Sequence, residues 1–368
     1  MNDDSFTKKQ MDYKVLLNAF GALSFLILFS CKNDHDVPPT FKTYLKTHTY
    51  AIGQSKMAIT DVTRNRPLIT EIWYPTKDTT KVNVTLDYPF KLPPTSKDAA
   101  FIANKFPLIL ISHGTGGNRI NHSWLASELA SNGYVVAAID HYGNTYDNKI
   151  PENFVKAWDR PLDVSFTLDH ILNNSKFKNI IDPSKIGVAG FSLGGYTTIA
   201  LAGGEIDYEA LSNFSKTDEG KNEFNTPEFG DVSKYMNPKI IEEGNTTFRH
   251  LKDNRITAFV AMAPAIGQGF VHEDQLSKIN DSILIISAEN DVRAPVKTNA
   301  GHYHKMIKKS RHIILPGKVG HYVFMNEAKL VLEKEAPFLF KDDATVNRRK
   351  IHNQVSKSAL KFFENQFY

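Results

Sequence analysis

The sequence predicts an α/β architecture: a mostly parallel central sheet with helices on both faces. Three observations carry that expectation. Short continuous apolar runs recur at 106–112, 134–139, 185–189, 257–262, 282–287 and 311–315, as expected for strands buried on both faces. Segments with helical spacing alternate with them, which is the rhythm of parallel strands joined by crossover helices. One junction, Val188-Ala189-Gly190-Phe191-Ser192-Leu193-Gly194-Gly195, is a strand-to-helix turn built from glycines around a serine.

The elements follow in order. Residues 60–66 are read as a turn, and 68–74 as a strand stopped by Pro75. A loop rich in Thr, Pro and Lys runs from 76 to 105. After the 106–112 strand, residues 124–132 read as a helix that Gly133 ends. A second helix is expected at 163–172, with Val164, Thr167, Leu168 and Ile171 on one side. The final helix is expected at 346–363, with Val355, Ala359, Leu360 and Phe363 as its core-facing stripe. Residues 203–255 break the rhythm. They are polar, with Asp218-Glu219, Glu242-Glu243 and the scattered aromatics Tyr208, Phe214, Phe224, Phe229 and Tyr235. A connection this long inside a compact domain is usually a lid or has structure of its own, so a small cap is expected here. A disordered surface insertion is the alternative.

Composition sets the wider bounds. The chain has 368 residues, 41% hydrophobic and 23% charged, with a formal net charge of +4. That is enough to bury a sizeable core as one large domain or two. The basic clusters Lys308-Lys309 and Arg348-Arg349-Lys350 are not interleaved with aromatics, so no nucleic-acid partner is expected. Lys8, Lys9 and Lys14 precede an apolar run at 15–30, the shape of a secretory signal. Cys31, the single cysteine, ends that run, so the fold stands without an internal disulfide. Leu28-Phe29-Ser30-Cys31 resembles a bacterial lipobox, which implies lipidation at Cys31 and an exported protein in membrane contact through that anchor. A signal cut without lipidation and a short membrane anchor are the alternatives. The expected organisation is a signal peptide at 1–31, a polar tether at 32–45 and one domain at 46–368 that includes the cap at 203–255.

The turn at Ser192 carries the chemistry. A serine hydroxyl needs a base to become a nucleophile, and the base needs an orienting carboxylate. In an open parallel sheet such groups sit just past the carboxyl ends of strands. Past the 282–287 strand, Asp291 is the best carboxylate, with Glu289 on the same loop as its rival. Past the 311–315 strand, His321 follows Gly320 in a loop. Backbone N–H groups must stabilise the oxyanion, and the expected donors are Leu193, directly after the serine, and Thr115 in the loop His113-Gly114-Thr115-Gly116-Gly117-Asn118. That loop lacks the Lys-Ser/Thr pair of a phosphate loop. His113 is expected to shape it, and Asp140-His141, at the end of another strand, to line the pocket or hold a loop, with Asp140 a further candidate acid. His302 and His304 stand two apart in an expected helix and point apart, and neither a cysteine cluster nor H-E-x-x-H occurs. No metal and no cofactor are expected.

With these residues in place, the chain resembles an α/β-hydrolase, in the branch of predicted dienelactone hydrolases related to the platelet-activating-factor acetylhydrolases. The matching pieces are Glu71-Ile72-Trp73-Tyr74-Pro75, Phe106-Pro107 through Asn118, Arg160-Pro161-Leu162-Asp163-Val164, Gly190 through Gly195, Gly267-Gln268-Gly269-Phe270 and Val319 through Phe324. The resemblance implies an α/β-hydrolase fold and a serine esterase acting on small-molecule or lipid carboxylic esters, with short acyl groups among them. Dienelactone hydrolases use a cysteine nucleophile where this chain has Ser192. An amidase or peptidase on the same triad, and a noncatalytic binding module on the same fold, are the alternative readings.

Overall fold

The computed structural model describes residues 48–247 and 251–368. The signal, Cys31 and the tether lie outside the described residues. The described residues open with β1 (Ala51–Asp61), β2 (Arg66–Thr76), the short β3 (Ser96–Lys97), β4 (Phe106–Ser112), helix α1 (Ser123–Ser131) and β5 (Val135–Ile139). Helix α2 (Asp159–Asn173), β6 (Ile181–Phe191) and α3 (Leu193–Ala202) follow. The insertion then contributes α4 (Tyr208–Ser215), α5 (Asp218–Glu223), the hairpin β7 (Asn225–Thr226) and β8 (Gly230–Asp231), and α6 (Pro238–Thr247). The sheet resumes with β9 (Ala258–Met262), β10 (Ile283–Ala288), α7 (Ala300–Met306) and β11 (Ser310–Leu315), and the chain closes with α8 (Leu330–Glu335), α9 (Pro337–Phe340) and α10 (Arg348–Phe367).

Among the described residues nine strands form one sheet in the order β11-β10-β9-β6-β4-β5-β2-β1-β3. Every pairing from β5 to β11 is parallel, whereas β2 runs antiparallel to both β5 and β1. Because side chains alternate across a strand, each apolar run feeds two layers. Leu108, Leu110, Ala137 and Val188 meet Val164, Leu168 and Ile171 of α2 on one face. Ile109, Ile111, Val136 and Ala189 meet Leu125 and Leu129 of α1 and Val355, Ala359 and Phe363 of α10 on the other. Full burial of such a side chain stabilises by about 1.5–3 kcal/mol, so these layers hold the sheet edge that carries the site.

The structure corrects several expectations. β1 is an eleven-residue strand that pairs with β2 along its whole length. Its alternation is hidden by Gln54, which is buried but bonded to Glu71 (2.8 Å), Tyr88 (3.1 Å) and Thr95 (2.6 Å). Helix α2 starts at Asp159 rather than at 163, because Pro161 falls in the first turn, where an N–H has no intrahelical acceptor. Helix α10 runs on to Phe367, which is also buried. The described part of the insertion, where a small cap was expected, forms three helices and a hairpin. Asp207 caps α4 through Glu209 and Ala210 N–H, and Thr217 caps α5 through Gly220 N–H. Glu223 ties the insertion to the body by accepting from Thr298 Oγ1 and Asn299 Nδ2, each at 2.8 Å. The segment leaves after α3 and returns at Asp253, whose N–H donates to Leu201 O at 3.1 Å. Among the described residues no helix is long and apolar enough to cross a membrane.

Candidate active site

The parallel strands end along one edge, and the candidate residues cluster there. Between β6 and α3 the backbone turns at Ser192 with φ 57° and ψ −118°, a conformation that costs a non-glycine residue energy and is sustained only by its surroundings. Those surroundings are specific. Ser192 N–H donates to Met262 O at 2.9 Å, and Ser192 O accepts from Ala265 N–H at 3.0 Å. A Cβ on Gly190 would overlap the Gly194 carbonyl, and a Cβ on Gly194 would overlap the Ser112 carbonyl. The two glycines are therefore needed for close approach of backbone to backbone, with strand, turn and helix pressed together around the serine.

Asp291 and His321 arrive from the ends of β10 and β11. Ser192 Oγ lies 3.0 Å from His321 Nε2, and His321 Nδ1 lies 2.6 Å from Asp291 Oδ2. A carboxylate can only accept, so Nδ1 carries the proton and Nε2 accepts from the serine hydroxyl. Asp291 Oδ1 also accepts Arg293 N–H at 2.8 Å and Ala294 N–H at 2.7 Å, which fixes the carboxylate in its loop. All three residues are buried, at 8%, 5% and 7% exposure for Ser192, Asp291 and His321.

The other candidates fall elsewhere. Glu289 accepts Gly317 N–H at 2.5 Å and pins the loop that leads to His321. Asp140 accepts from the backbone and side chain of Arg119, both at 2.6 Å, so it braces the end of the 113–118 loop. His113 Nδ1 donates to Gly114 O at 2.6 Å and shapes that loop from within. His302 bonds Phe270 O and His304 bonds Ser310 Oγ, so the two histidines face different partners. The N–H groups of Leu193 and Thr115 donate to no protein group among the described residues.

A buried charged layer lies beneath the 113–118 loop. Arg160, 2% exposed, donates to His113 O (2.5 Å), Gly114 O (3.1 Å) and Asn144 Oδ1 (3.1 Å). The same Asn144 oxygen accepts Gly116 N–H at 2.9 Å. Arg66 forks onto both oxygens of Asp163 at 2.8 and 2.7 Å, and His141 Nδ1 donates to Asp163 at 3.1 Å. Ser112 Oγ completes the chain by donating to His141 Nε2 at 2.8 Å. Burial alone would raise Asp163, but hydrogen bonds from His141 and Arg66 outweigh it and hold the carboxyl at about 2. Burial and the Arg160 charge push His141 down to about 4, so a neutral imidazole faces a carboxylate. The sequence reading placed neither Arg160 nor Asn144 in the site. The available signal was spacing: Arg160 and Asp163 share a helical face with Val164 and Thr167, two charges on a stripe that packs inward.

The sequence profile of the family described as platelet-activating factor acetylhydrolase, isoform II, matches residues 78–146, which include the 113–118 loop but not Ser192. The chain is 35% identical over 109 residues to cutinase est1 of Thermobifida alba, covering 29% of this chain and 34% of that protein. It is 32% identical over 109 residues to cutinase cut1 of Thermobifida fusca, covering 29% and 31%. The chain thus spans about a third of the length of the curated relatives it matches. A ferulic acid esterase from Streptomyces cinnamoneus shares the fold, with a TM-score of 0.54 at 18% identity over 90% of this chain and 92% of that one.

Proposed function

We propose that this chain, which has the α/β-hydrolase fold, is a serine hydrolase that cleaves carboxylic esters through an acyl-enzyme. The carrying observation is the continuous chain from Ser192 Oγ through His321 to Asp291, at 3.0 and 2.6 Å, on a strained turn. Ser192 Oγ attacks the ester carbonyl while His321 Nε2 takes its proton. The carbonyl oxygen becomes an oxyanion, and the N–H groups of Leu193 and Thr115 are free to hold it. His321 returns the proton to the leaving alkoxide, and the acyl group stays on Ser192. His321 then deprotonates a water that attacks the acyl carbonyl, and the acid leaves as Ser192 regains its proton. Asp291 orients His321 and offsets its positive charge in both halves. Residues 203–255 act as the cap over this site. The complete triad favours an enzyme over a noncatalytic binding module, and the ester-cleaving names of the matched proteins favour esters over amides.

Stoichiometric labelling tests the reading. A fluorophosphonate probe is expected to modify the native protein once, with the adduct located by mass spectrometry on Ser192. Folded protein that stays unlabelled, or carries the adduct elsewhere, would overturn it. The lysines and apolar run before Cys31 support export and lipid anchoring. The Cys31→Ser protein is expected to leave the membrane fraction of the cells that make it. Retention there would count against the anchor.

A further inference from the structure

The turn that carries His321 is held from behind by a stacked pair of side chains. His321–Phe324 is a single 3₁₀ turn, too short to satisfy its own last carbonyls. Met325 N–H returns to Tyr322 O at 3.1 Å, but Asn326 N–H leaves the turn for Asn121 O at 3.0 Å. Val323 and Phe324 are fully buried, so their carbonyls need donors from elsewhere in the protein. Two arrive. His352 of α10 donates Nε2–H to Val323 O at 2.8 Å, and Trp124 of α1 donates Nε1–H to Phe324 O at 2.8 Å. The imidazole and the indole lie face to face, with centroids 4.0 Å apart and planes 4° from parallel.

Each partner is fixed in turn. Asn326 Oδ1 accepts Trp124 N–H at 3.2 Å, and Asn326 Nδ2 donates to Ile120 O at 2.6 Å. Arg348, one turn of α10 before His352, donates Nη1–H to Asn326 O at 3.1 Å. A carbonyl can only accept, so Nε2 of His352 carries the proton. Burial pushes the His352 pKa down to about 3, so the ring stays neutral. His352 lies on the inward stripe of α10 with Val355, Ala359 and Phe363, where an apolar residue would serve packing alone. An imidazole there keeps a flat face for Trp124 and adds the donor that Val323 O needs. On its other side the turn meets Phe191, next to Ser192. Phe191 packs on His321 and Phe324, at 4.7 and 5.6 Å between ring centroids. A shift of Val323 or Phe324 therefore moves the imidazole that stands 3.0 Å from Ser192 Oγ.

We propose that Trp124 and His352 are positioning residues. As a stacked pair that donates to consecutive carbonyls, they set where His321 Nε2 stands relative to Ser192 Oγ. This rests on the ester-hydrolase reading above. Both residues act through the turn and not on the substrate. Three variants divide stacking from hydrogen bonding. His352→Phe keeps a flat ring against Trp124 and removes the donor. His352→Gln gives up the ring, but its amide nitrogen lies as many bonds from Cβ as the imidazole Nε2 and can reach Val323 O. Trp124→Phe likewise keeps a ring and removes the donor to Phe324 O.

With p-nitrophenyl acetate, His352→Phe is expected to lower kcat by at least about tenfold and to leave KM within about twofold, because a misplaced base weakens the transition state and not substrate binding. The rate of fluorophosphonate labelling is expected to fall by the same order, since it needs the same proton transfer. His352→Gln is expected to return kcat to within about threefold of native, and Trp124→Phe to lower it in the same sense as His352→Phe. Each kcat is taken per Ser192 labelled at completion, so loss of folded protein alone moves none of them. A native kcat in His352→Phe, or in Trp124→Phe where His352→Phe does not fold, would overturn the proposal. So would a loss that His352→Gln shares in full, or a rise in KM at unchanged kcat. Native labelling on Ser192 with unaltered variants would remove only the role of this pair. Failure of the folded native protein to label would remove the ester-hydrolase reading and this proposal together.

Discussion

The Ser192→Ala protein is expected to hydrolyse p-nitrophenyl acetate with a kcat lower by on the order of 10⁴- to 10⁶-fold, because triad members act as one unit and the donors that remain supply only a residual rate. The substitution removes one oxygen. Alanine at φ 57° is no more strained than serine there, and the bonds to Met262 and Ala265 are made by the backbone. The fold should therefore persist, with a melting temperature within a few degrees of the native value. His321 loses only a hydrogen-bond donor and keeps Asp291 at 2.6 Å. Steady-state kinetics on protein purified free of host esterases is the measurement. A kcat within about tenfold of native would move the nucleophile elsewhere.

The second large effect is expected at Arg160. Its guanidinium forks onto two successive carbonyls, His113 O and Gly114 O, and reaches Asn144, which holds Gly116 N–H. Every one of these contacts fixes backbone on either side of Thr115. Arg160→Lys keeps the charge but offers a single ammonium, which cannot span the two carbonyls. An oxyanion donor aimed wrongly weakens only the transition state, so kcat should fall by about 10²-fold, the scale of losing one such donor, while KM changes little. Lysine is the better probe than alanine. Removing the charge would leave buried acceptors and Asp163 unbalanced, at a cost of about 3–5 kcal/mol. Asn144→Ala should shift kcat in the same direction by a smaller factor. A rise in KM with kcat unchanged would show that Arg160 shapes binding and does not aim the oxyanion donor.

Much of this was legible in the sequence for physical reasons. A strand buried on both faces has no choice but to be apolar, so β4, β5, β9 and β10 stand out. The turn at Ser192 needs glycine at 190 and 194 because backbone atoms occupy the space of their side chains. The rule that functional groups gather at the carboxyl ends of parallel strands singled out Asp291 and His321, and the structure brings both into one hydrogen-bonded line with Ser192. What stayed hidden was polar and buried. Gln54 breaks the alternation of β1, and only tertiary partners explain it. Arg160 and Asp163 break the apolar stripe of α2, so the expected helix began one turn late. Glu228 lies in a stretch without periodicity, where nothing local indicates that its carboxyl touches a loop more than a hundred residues earlier.

The bond from Asp253 N–H to Leu201 O closes the two ends of the insertion on each other at the far end of α3. Ser192 stands at the near end of the same helix, some ten residues away. A segment whose ends meet can be lengthened, shortened or exchanged without moving the elements it joins. On the proposed reading, the reacting groups and the cap lie in separate stretches of chain and can diverge independently. If that reading holds, related chains can keep Ser192, Asp291 and His321 while trading hairpins, and so change which esters they accept without changing how they cleave them.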